Sequence, residues 1–176
     1  MKKSQYYYQR QPKVKIDMTL TDWLLEALII MGVIVGTVVT VLKYENLPDV
    51  IPTKYDFSGN VIAYGGKVNI LILVGLMIVM YLFLVVINRF PHTFNYLVKI
   101  TEQNAYKQYK LAMSLIRWIN LEMTWLISLL IINDIYISLS ENQDRTQIIV
   151  IASLVAMFAT IAAYFIKAIR LKEDDL

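Results

Sequence analysis

The sequence predicts an all-α integral membrane protein: a four-helix bundle with a small extracytoplasmic hairpin-like loop and a cytoplasmic helical extension of the third span. Of its 176 residues, 57% are apolar and only 18% are charged, whereas an ordinary soluble domain has about 45–50% apolar and about a quarter charged residues. The mean hydropathy is +0.52. The apolar residues are also gathered into four segments, each near the roughly 20 residues that a helix needs to cross a bilayer.

These segments divide the chain into spans and connections. The spans are predicted at residues 23–43, 68–87, 118–139 and 147–167. The other regions are an N-terminal tail at 1–22, an outer loop at 44–67, a loop and helix at 88–117, a short outer loop at 140–146 and a C-terminal tail at 168–176. The third span is the most polar of the four, but its polar groups lie near its two ends: Asn120, Glu122, Asn133 and Asp134.

The basic residues predict how the spans are oriented. Thirteen of the 17 Lys and Arg residues lie in the two tails, the 88–117 region and the end of the fourth span. Because cytoplasmic segments carry an excess of Lys and Arg, both termini are expected in the cytoplasm and the 44–67 loop on the outer side of the membrane. The N-terminal tail, basic and rich in Tyr, either is a flexible tail or contacts anionic lipid, and Thr21 or Asp22 is expected to cap the first helix.

The outer loop at 44–67 carries the signals of a small hairpin. Pro48 and Pro52 favour extended chain at its entry. Short β-prone runs at 53–57 and 61–64 then flank a turn at Ser58–Asn60. Gly65 ends the second run, and Lys67 lies where the second span begins.

The 88–117 region is expected to contain a helix that continues into the third span. Thr101 is a candidate N-cap. Spacings of four, three and four residues then place one apolar stripe on a helix face: Ala105, Tyr109, Ala112 and Ile116.

The composition excludes several kinds of site. The chain has no Cys and a single His, His92, which leaves no disulfide, no thiolate nucleophile, no Cys-ligated metal site and no His-based metal cluster, and no metal is expected. A net charge of +3 is too small to argue for a nucleic-acid partner. No group of nucleophile, base and oxyanion donor is evident, so a non-enzymatic protein without a cofactor is expected.

Three acidic residues lie inside or at the ends of the spans, namely Glu26, Glu122 and Asp134. Because a charge in hydrocarbon is costly, it normally faces the bundle or a cavity. Glu26 and Glu122 form either a shared site, with Arg89 or Arg117 as counter-ion, or two solvated carboxylates at headgroup level. Asp134 poses the same question at the outer end, where Lys43 and Lys67 are candidate partners.

Small residues four positions apart occur in two spans. Gly32 and Gly36 lie in the first span, and Ala152 and Ala156 lie in the fourth. Such pairs let helix backbones approach closely. Packing within one chain is the favoured interpretation, and association of two copies is the alternative.

The outer loop also resembles the domain of unknown function 1648 (DUF1648). The residues that carry the resemblance are Leu47, Pro48, Ile51, Pro52, Gly59, Gly65 and Lys67, and a stretch similar to many members follows at Arg89–His92 and Phe94–Tyr96, including Asn95. The sequence departs from the family pattern at Lys54, where His is usual, at Tyr55, where Phe is usual, and at Ile62, where an acidic residue is usual. The family implies a bacterial multi-pass membrane protein, and the domain also occurs in the SdpI immunity protein, a distant relative.

Two functions follow as expectations. The first is a binding, sensing or immunity-type module whose outer loop receives a protein or peptide ligand and whose cytoplasmic helix meets a protein partner. Its candidate residues are Pro48, Pro52, Tyr55, Gly59, Gly65, Lys67, Arg89 and Asn95. The alternative is a small oligomeric transporter or lipid-handling protein that uses the intramembrane carboxylates. Membrane lipid is an expected partner in both cases, and a homo-oligomer is a candidate assembly.

Overall fold

The computed structural model describes residues 11–56, 60–140 and 146–173, which form four α-helices and one two-stranded antiparallel sheet. The helices are α1 (Leu20–Lys43), α2 (Val68–Ile87), α3 (Ala105–Ser140) and α4 (Thr146–Glu173). The strands are β1 (Val50–Tyr55) and β2 (Val61–Gly66), which lie between α1 and α2. Single 3₁₀ turns occupy Tyr44–Asn46 and Pro91–Thr93.

Each of the four helices forms all or most of a segment long and apolar enough to cross a membrane, the first segment also including the 3₁₀ turn after α1. These segments are Leu20–Asn46, Val68–Ile87, Ala105–Leu139 and Ile148–Leu171. The predicted fold class is therefore confirmed: the chain is mainly helical, has four candidate spans and carries only a small sheet. It is a multi-pass membrane protein.

Helix α1 begins three residues before the predicted span, because its cap is Thr19 and neither Thr21 nor Asp22. The Thr19 hydroxyl accepts a hydrogen bond from the Asp22 backbone N–H at 3.3 Å, and the Asp22 carboxylate accepts one from the Thr19 N–H at 2.8 Å. This reciprocal capping box satisfies two backbone donors at the start of the helix. Asp22 was expected as a cap, but its side chain acts from the third helical position instead.

Helix α3 is central in the bundle, since it packs against α1, α2 and α4. Its contact with α1 is close at two glycines. A Cβ atom on Gly32 would lie 3.1 Å from the side chain of Thr124, and one on Gly36 would lie 2.9 Å from the Ser128 hydroxyl oxygen. The small residues at these positions therefore let the two helices approach.

The small-residue pair of α4 is placed differently. Helix α4 packs mainly on α3, and Ala152 and Ala156 lie on an exposed part of it. Packing within one chain was the favoured interpretation of this pair. In the described residues that interpretation fits the glycines of α1 but not the alanines of α4, because α4 has no second helix against its outer side.

An apolar core joins the hairpin to the helices. Leu47 and Ile51 are buried, at 4% and 1% exposure, in one cluster with side chains of two helices. Those side chains are Ile70, Val74 and Met77 of α2 and Ile127, Ile131 and Ile135 of α3. An isolated two-stranded hairpin is marginally stable in water, so the hairpin is stabilised by packing on the end of the bundle.

The register of the hairpin pairs Val50 with Gly66 and Pro52 with Tyr64, and an irregularity follows around Thr53. At its far end the Asp56 N–H donates to the Asn60 carbonyl at 2.9 Å. The first two residues of the predicted turn at 58–60 lie outside the described residues.

Helix α3 continues without a break from Ala105 to Ser140, so the predicted extension and the third span form one helix. Just before it, the Thr101 hydroxyl accepts from the Asn104 N–H at 3.3 Å, and the Asn104 side chain accepts from the Thr101 N–H at 2.9 Å. Ala105, Tyr109 and Ala112 of the apolar stripe are buried. The stripe therefore faces protein.

Candidate functional site

A cavity of about 510 Å³ lies at the end of the bundle where the chain enters α1 and leaves α2, away from the hairpin. Its wall consists of residues 14–18, the first turns of α1, the end of α2 with the residues after it, and the part of α3 near Arg117. We call it the Glu26 cavity. Its wall is mixed: the polar side chains are Lys15, Glu26, Asn88, Arg89, Arg117 and Asn120, and the apolar ones include Val14, Met18, Trp23, Leu84, Met113 and Ile116.

One side of the Glu26 cavity is held by a nearly buried ion pair between α1 and α3. The Arg117 guanidinium donates to the Asp22 carboxylate at 2.7 Å, and the two side chains are only 9% and 10% exposed. The same carboxylate closes the capping box with Thr19. The pair therefore fixes the start of α1 against α3, and Arg117 is not the counter-ion of Glu26 or Glu122 that was considered from the sequence.

Glu26 is half-buried on the wall of the cavity. Its carboxylate accepts a hydrogen bond from the Tyr81 hydroxyl of α2 at 3.4 Å. The Asn120 amide of α3 donates to the Tyr81 backbone carbonyl at 3.5 Å and accepts from the Thr124 hydroxyl at 3.4 Å. Three helices thus contribute to the surroundings of one carboxylate, which keeps one oxygen for another donor.

Asn88 and Arg89 follow α2 on the same wall. Asn88 is 8% exposed, and its side-chain oxygen is buried without a hydrogen-bond partner among the described residues. Arg89 is exposed, and no carboxylate of the described residues forms an ion pair with it. The wall of the cavity therefore contains a buried amide oxygen without a partner and has one cation at its edge.

Glu122 does not share this cavity. It lies on the side of α3 that packs on α4, where its carboxylate accepts a hydrogen bond from the Thr160 hydroxyl at 2.6 Å. Its second carboxylate oxygen is buried and has no hydrogen-bond partner in the described part of the chain. Glu26 instead contacts α2, so the structure does not bring the two carboxylates into one site.

The opposite end of the bundle is organised around the hairpin. The Lys67 ammonium lies 3.2 Å from the Asp49 carboxylate, 3.4 Å from the Leu47 carbonyl oxygen and 5.5 Å from the centre of the Tyr44 ring. It therefore ties together the chain on both sides of the sheet. The side chain of Leu47 enters the core at the same point.

Residues 31–78 match the model of a family described as a domain of unknown function, DUF1648. We call the matched residues the DUF1648 domain. No curated protein and no solved structure matches the chain. The matched residues run from the middle of α1 through the hairpin to the middle of α2, so Glu26, Arg89 and Arg117 lie outside the DUF1648 domain.

Several candidate residues of the DUF1648 domain serve the hairpin itself. Pro52 is half-buried in β1 opposite Tyr64, whereas Pro48 is exposed at the entry. A Cβ atom on Gly65 would lie 2.8 Å from the Asn69 side-chain nitrogen, so a larger residue would displace that side chain. Gly59, the remaining glycine of the motif, lies outside the described residues.

Tyr55 joins the DUF1648 domain to α3. Its hydroxyl donates to the Asp134 carboxylate at 3.0 Å. Asp134 was considered as a partner of Lys43 or Lys67, but Lys67 pairs with Asp49. A Phe, which is usual at position 55 in the family pattern, has no hydroxyl with which to make this bond.

The outward face of the hairpin is apolar and exposed. Val50, Ile62 and Tyr64 are 61%, 63% and 66% exposed, and Lys54 is exposed beside them. Lys54 and Ile62 are two positions at which the sequence departs from the family pattern. These two departures therefore lie on the surface of the DUF1648 domain, whereas the third, Tyr55, is half-buried against α3.

Sequence reasoning missed how the N-terminal segment packs. The Tyr109 hydroxyl donates to the Pro12 carbonyl at 2.8 Å, and the Tyr109 ring packs on that of Tyr96 with 5.4 Å between centroids. Burial, with smaller contributions from neighbouring tyrosines, raises the pKa of Tyr96 far above its ordinary value. Asn95 is exposed and lines a second cavity, of about 710 Å³, beside this contact. The available signal for the N-terminal contact was Tyr109 in the apolar stripe of α3, because a tyrosine hydroxyl usually needs a hydrogen-bond partner when it is buried.

Proposed function

We propose that this protein is a non-enzymatic binding module of a bacterial inner membrane, in which the outward face of the hairpin receives a protein or peptide ligand. The observation that carries the proposal is the two-sided character of the hairpin. Its outer face presents exposed Val50, Ile62 and Tyr64, and its inner face is fixed to the helices. Exposed apolar patches bordered by polar groups are typical of interaction sites.

The inner face links a ligand on the hairpin to the rest of the bundle. Ile51 is packed among side chains of α2 and α3, and Tyr55 is hydrogen-bonded to Asp134 of α3. Helix α3 has 36 residues, which corresponds to about 54 Å at 1.5 Å per residue. A ligand that moves the hairpin would bias the position of a helix whose first residues lie at the opposite end of the bundle.

The charge distribution supports the proposed orientation, with the hairpin outside and both termini in the cytoplasm. The chain has no Cys, so single cysteines can be introduced without removing others. In intact cells, a membrane-impermeant maleimide should label an Asn60→Cys variant and should label a Lys99→Cys variant only after permeabilisation. The reverse pattern would reject the orientation.

The binding function is tested by resistance to membrane-active peptides, as for an immunity-type module. Cells that express the chain should survive a peptide that kills cells without it. Tyr64→Ser on the hairpin face should abolish this protection at unchanged expression. Tyr106→Ser is the matched control, because Tyr106 is also an exposed tyrosine but lies at the far end of α3. Equal protection by the Tyr64 variant and the original chain, over a panel of such peptides, would contradict the proposal.

A second candidate function, lipid handling by a small oligomeric protein, is favoured by the Glu26 cavity. Because Glu26 and Glu122 contact different helices, this function would use Glu26 alone. Replacing Glu26 by Gln should then remove activity, and replacing Glu122 by Gln should not. If neither variant loses lipid transfer between vesicles, or if both lose it equally, the result would count against lipid handling through Glu26.

A further inference from the structure

We propose that the Glu26 cavity binds the headgroup of a zwitterionic phospholipid that carries a primary ammonium group. The inference does not rest on ligand binding at the hairpin, and it names a ligand for the cavity that the second candidate function uses. It follows from the acceptors in the cavity, from its balance of charge and from its position at the ends of two membrane-spanning helices.

The acceptors require a donor. Asn88 is more than nine-tenths buried, and its side-chain oxygen has no partner among the described residues. A buried acceptor without a hydrogen bond is costly. Because Asn88 lines the cavity, a rotation of its amide that brings this oxygen to a ligand donor would remove the cost. Among the described residues, the Glu26 carboxylate on the same wall receives only the 3.4 Å hydrogen bond from Tyr81. An ammonium group, with three N–H donors, matches a carboxylate and an amide oxygen together.

The charged side chains on the cavity wall favour a ligand that carries both a cation and an anion. Arg117 is neutralised by Asp22, and Lys15 forms an ion pair with Asp17 at 3.3 Å. The wall then has one negative group, Glu26, and one positive group, Arg89, without an ionic partner in the part of the chain that is described. Arg is well suited to bind a phosphate through two parallel hydrogen bonds.

The position of the cavity identifies the source of this chemistry as lipid. The cavity lies at the N-terminal end of one candidate span and the C-terminal end of the next, which is where headgroups lie. Its wall also includes Val14, Met18, Trp23 and Leu84, which can contact the upper part of an acyl chain. Trp is typical of the membrane interface. A soluble phosphorylated amine would leave this apolar wall uncovered.

The structure also predicts which lipids are rejected. A quaternary ammonium has no N–H to donate to Asn88 or Glu26, and a phosphoglycerol headgroup has no positive charge for Glu26. Phosphatidylethanolamine should therefore bind more tightly than phosphatidylcholine or phosphatidylglycerol with the same acyl chains. Loss of charge-assisted hydrogen bonds corresponds to a preference of about tenfold.

Native mass spectrometry of the full chain in detergent tests this preference directly. The bound fraction is measured for each of the three lipids and, separately, for soluble glycerophosphoethanolamine. Glu26→Gln and Asn88→Leu should each reduce the preference for phosphatidylethanolamine to threefold or less, and Arg89→Gln should weaken binding of phosphatidylethanolamine and phosphatidylcholine alike. Glu122→Gln, which changes a carboxylate outside the cavity, should keep the full preference.

Three results would overturn the proposal. The first is equal binding of phosphatidylethanolamine and phosphatidylcholine by the unchanged chain. The second is a loss of preference in Glu122→Gln as large as that in Glu26→Gln. The third is binding of glycerophosphoethanolamine as tight as that of the lipid, which would identify a soluble ligand. Far-UV circular dichroism identifies a variant that has not folded, and Glu26→Gln and Asn88→Leu test the same acceptors independently.

Discussion

The ion pair between Asp22 and Arg117 is the polar contact whose removal should destabilise the fold most. The two groups lie 2.7 Å apart with side chains only 9% and 10% exposed, and Asp22 also completes the cap of α1. The informative change is Arg117→Gln. It leaves the capping box intact but leaves the Asp22 carboxylate nearly buried without its cation.

The size of the effect follows from the burial of the pair. Removing one partner of a buried ion pair costs about 3–5 kcal/mol of unfolding free energy. Since the pair borders a cavity rather than lying inside a dry core, we expect the lower end, about 3 kcal/mol. Asp22→Asn should have a comparable effect, because an amide oxygen can still accept the Thr19 N–H while the amide nitrogen offers Arg117 no acceptor. The double variant should cost less than the sum of the two single variants, because their effects are coupled.

The measurement is reversible unfolding in detergent micelles, followed by far-UV circular dichroism for the two single variants and the double variant. The pair Lys15–Asp17 supplies a matched control, because its side chains are 89% and 79% exposed. An exposed pair contributes at most about 1 kcal/mol, so Lys15→Gln should change little. The reasoning is refuted if Arg117→Gln costs no more than Lys15→Gln, or if the two buried-pair substitutions are simply additive.

Two further pairs of substitutions each compare a closely packed position with an open one by the midpoint of unfolding. Gly36→Ala should cost about 1–3 kcal/mol, because the new Cβ would lie 2.9 Å from the Ser128 hydroxyl oxygen. Gly75→Ala should be tolerated, because nothing lies within 4 Å of the new Cβ atom. Equal midpoints of unfolding for the two glycine variants would contradict the close contact between Gly36 and Ser128. Ile51→Ala should lower the free energy of unfolding by about 2–5 kcal/mol. Ile62→Ala, on the exposed face, should change it by no more than about 0.5 kcal/mol. A smaller loss for Ile51→Ala would mean that the hairpin is not part of the core.

The helices could be predicted from the sequence because their signals are local. Twenty uncharged and mainly apolar residues at 68–87 are sufficient to indicate a span, and the structure has α2 with the same bounds. The start of α1 does not follow from such a local signal, because Thr19, Thr21 and Asp22 are all good capping residues. The choice depends on the reciprocal hydrogen bonds between Thr19 and Asp22, and on Arg117, which is 95 positions from Asp22.

The candidate site could be predicted only in part, because its contacts are between distant segments. The sequence indicated Glu26 as an intramembrane carboxylate and Arg89 as a candidate partner, and both line one cavity. Nothing in the sequence distinguishes Asn88 from any other amide at the end of a helix. Its importance comes from burial without a hydrogen bond, which depends on how α2 ends against its neighbours.

The hairpin allows structural and recognition residues to be separated. Most of the residues that carry the resemblance to DUF1648 and lie in the described part of the hairpin serve its folding: Leu47 and Ile51 enter the core, Gly65 leaves room for Asn69, and Lys67 ties the entry to the exit. The departures at Lys54 and Ile62 are exposed, on the face that we propose for ligand binding. A shared framework with a different outer face would hold the hairpin in place while changing the ligand it accepts. The ligand of this chain should therefore be sought through Lys54, Ile62 and the adjacent apolar surface, rather than through the residues that identify the family.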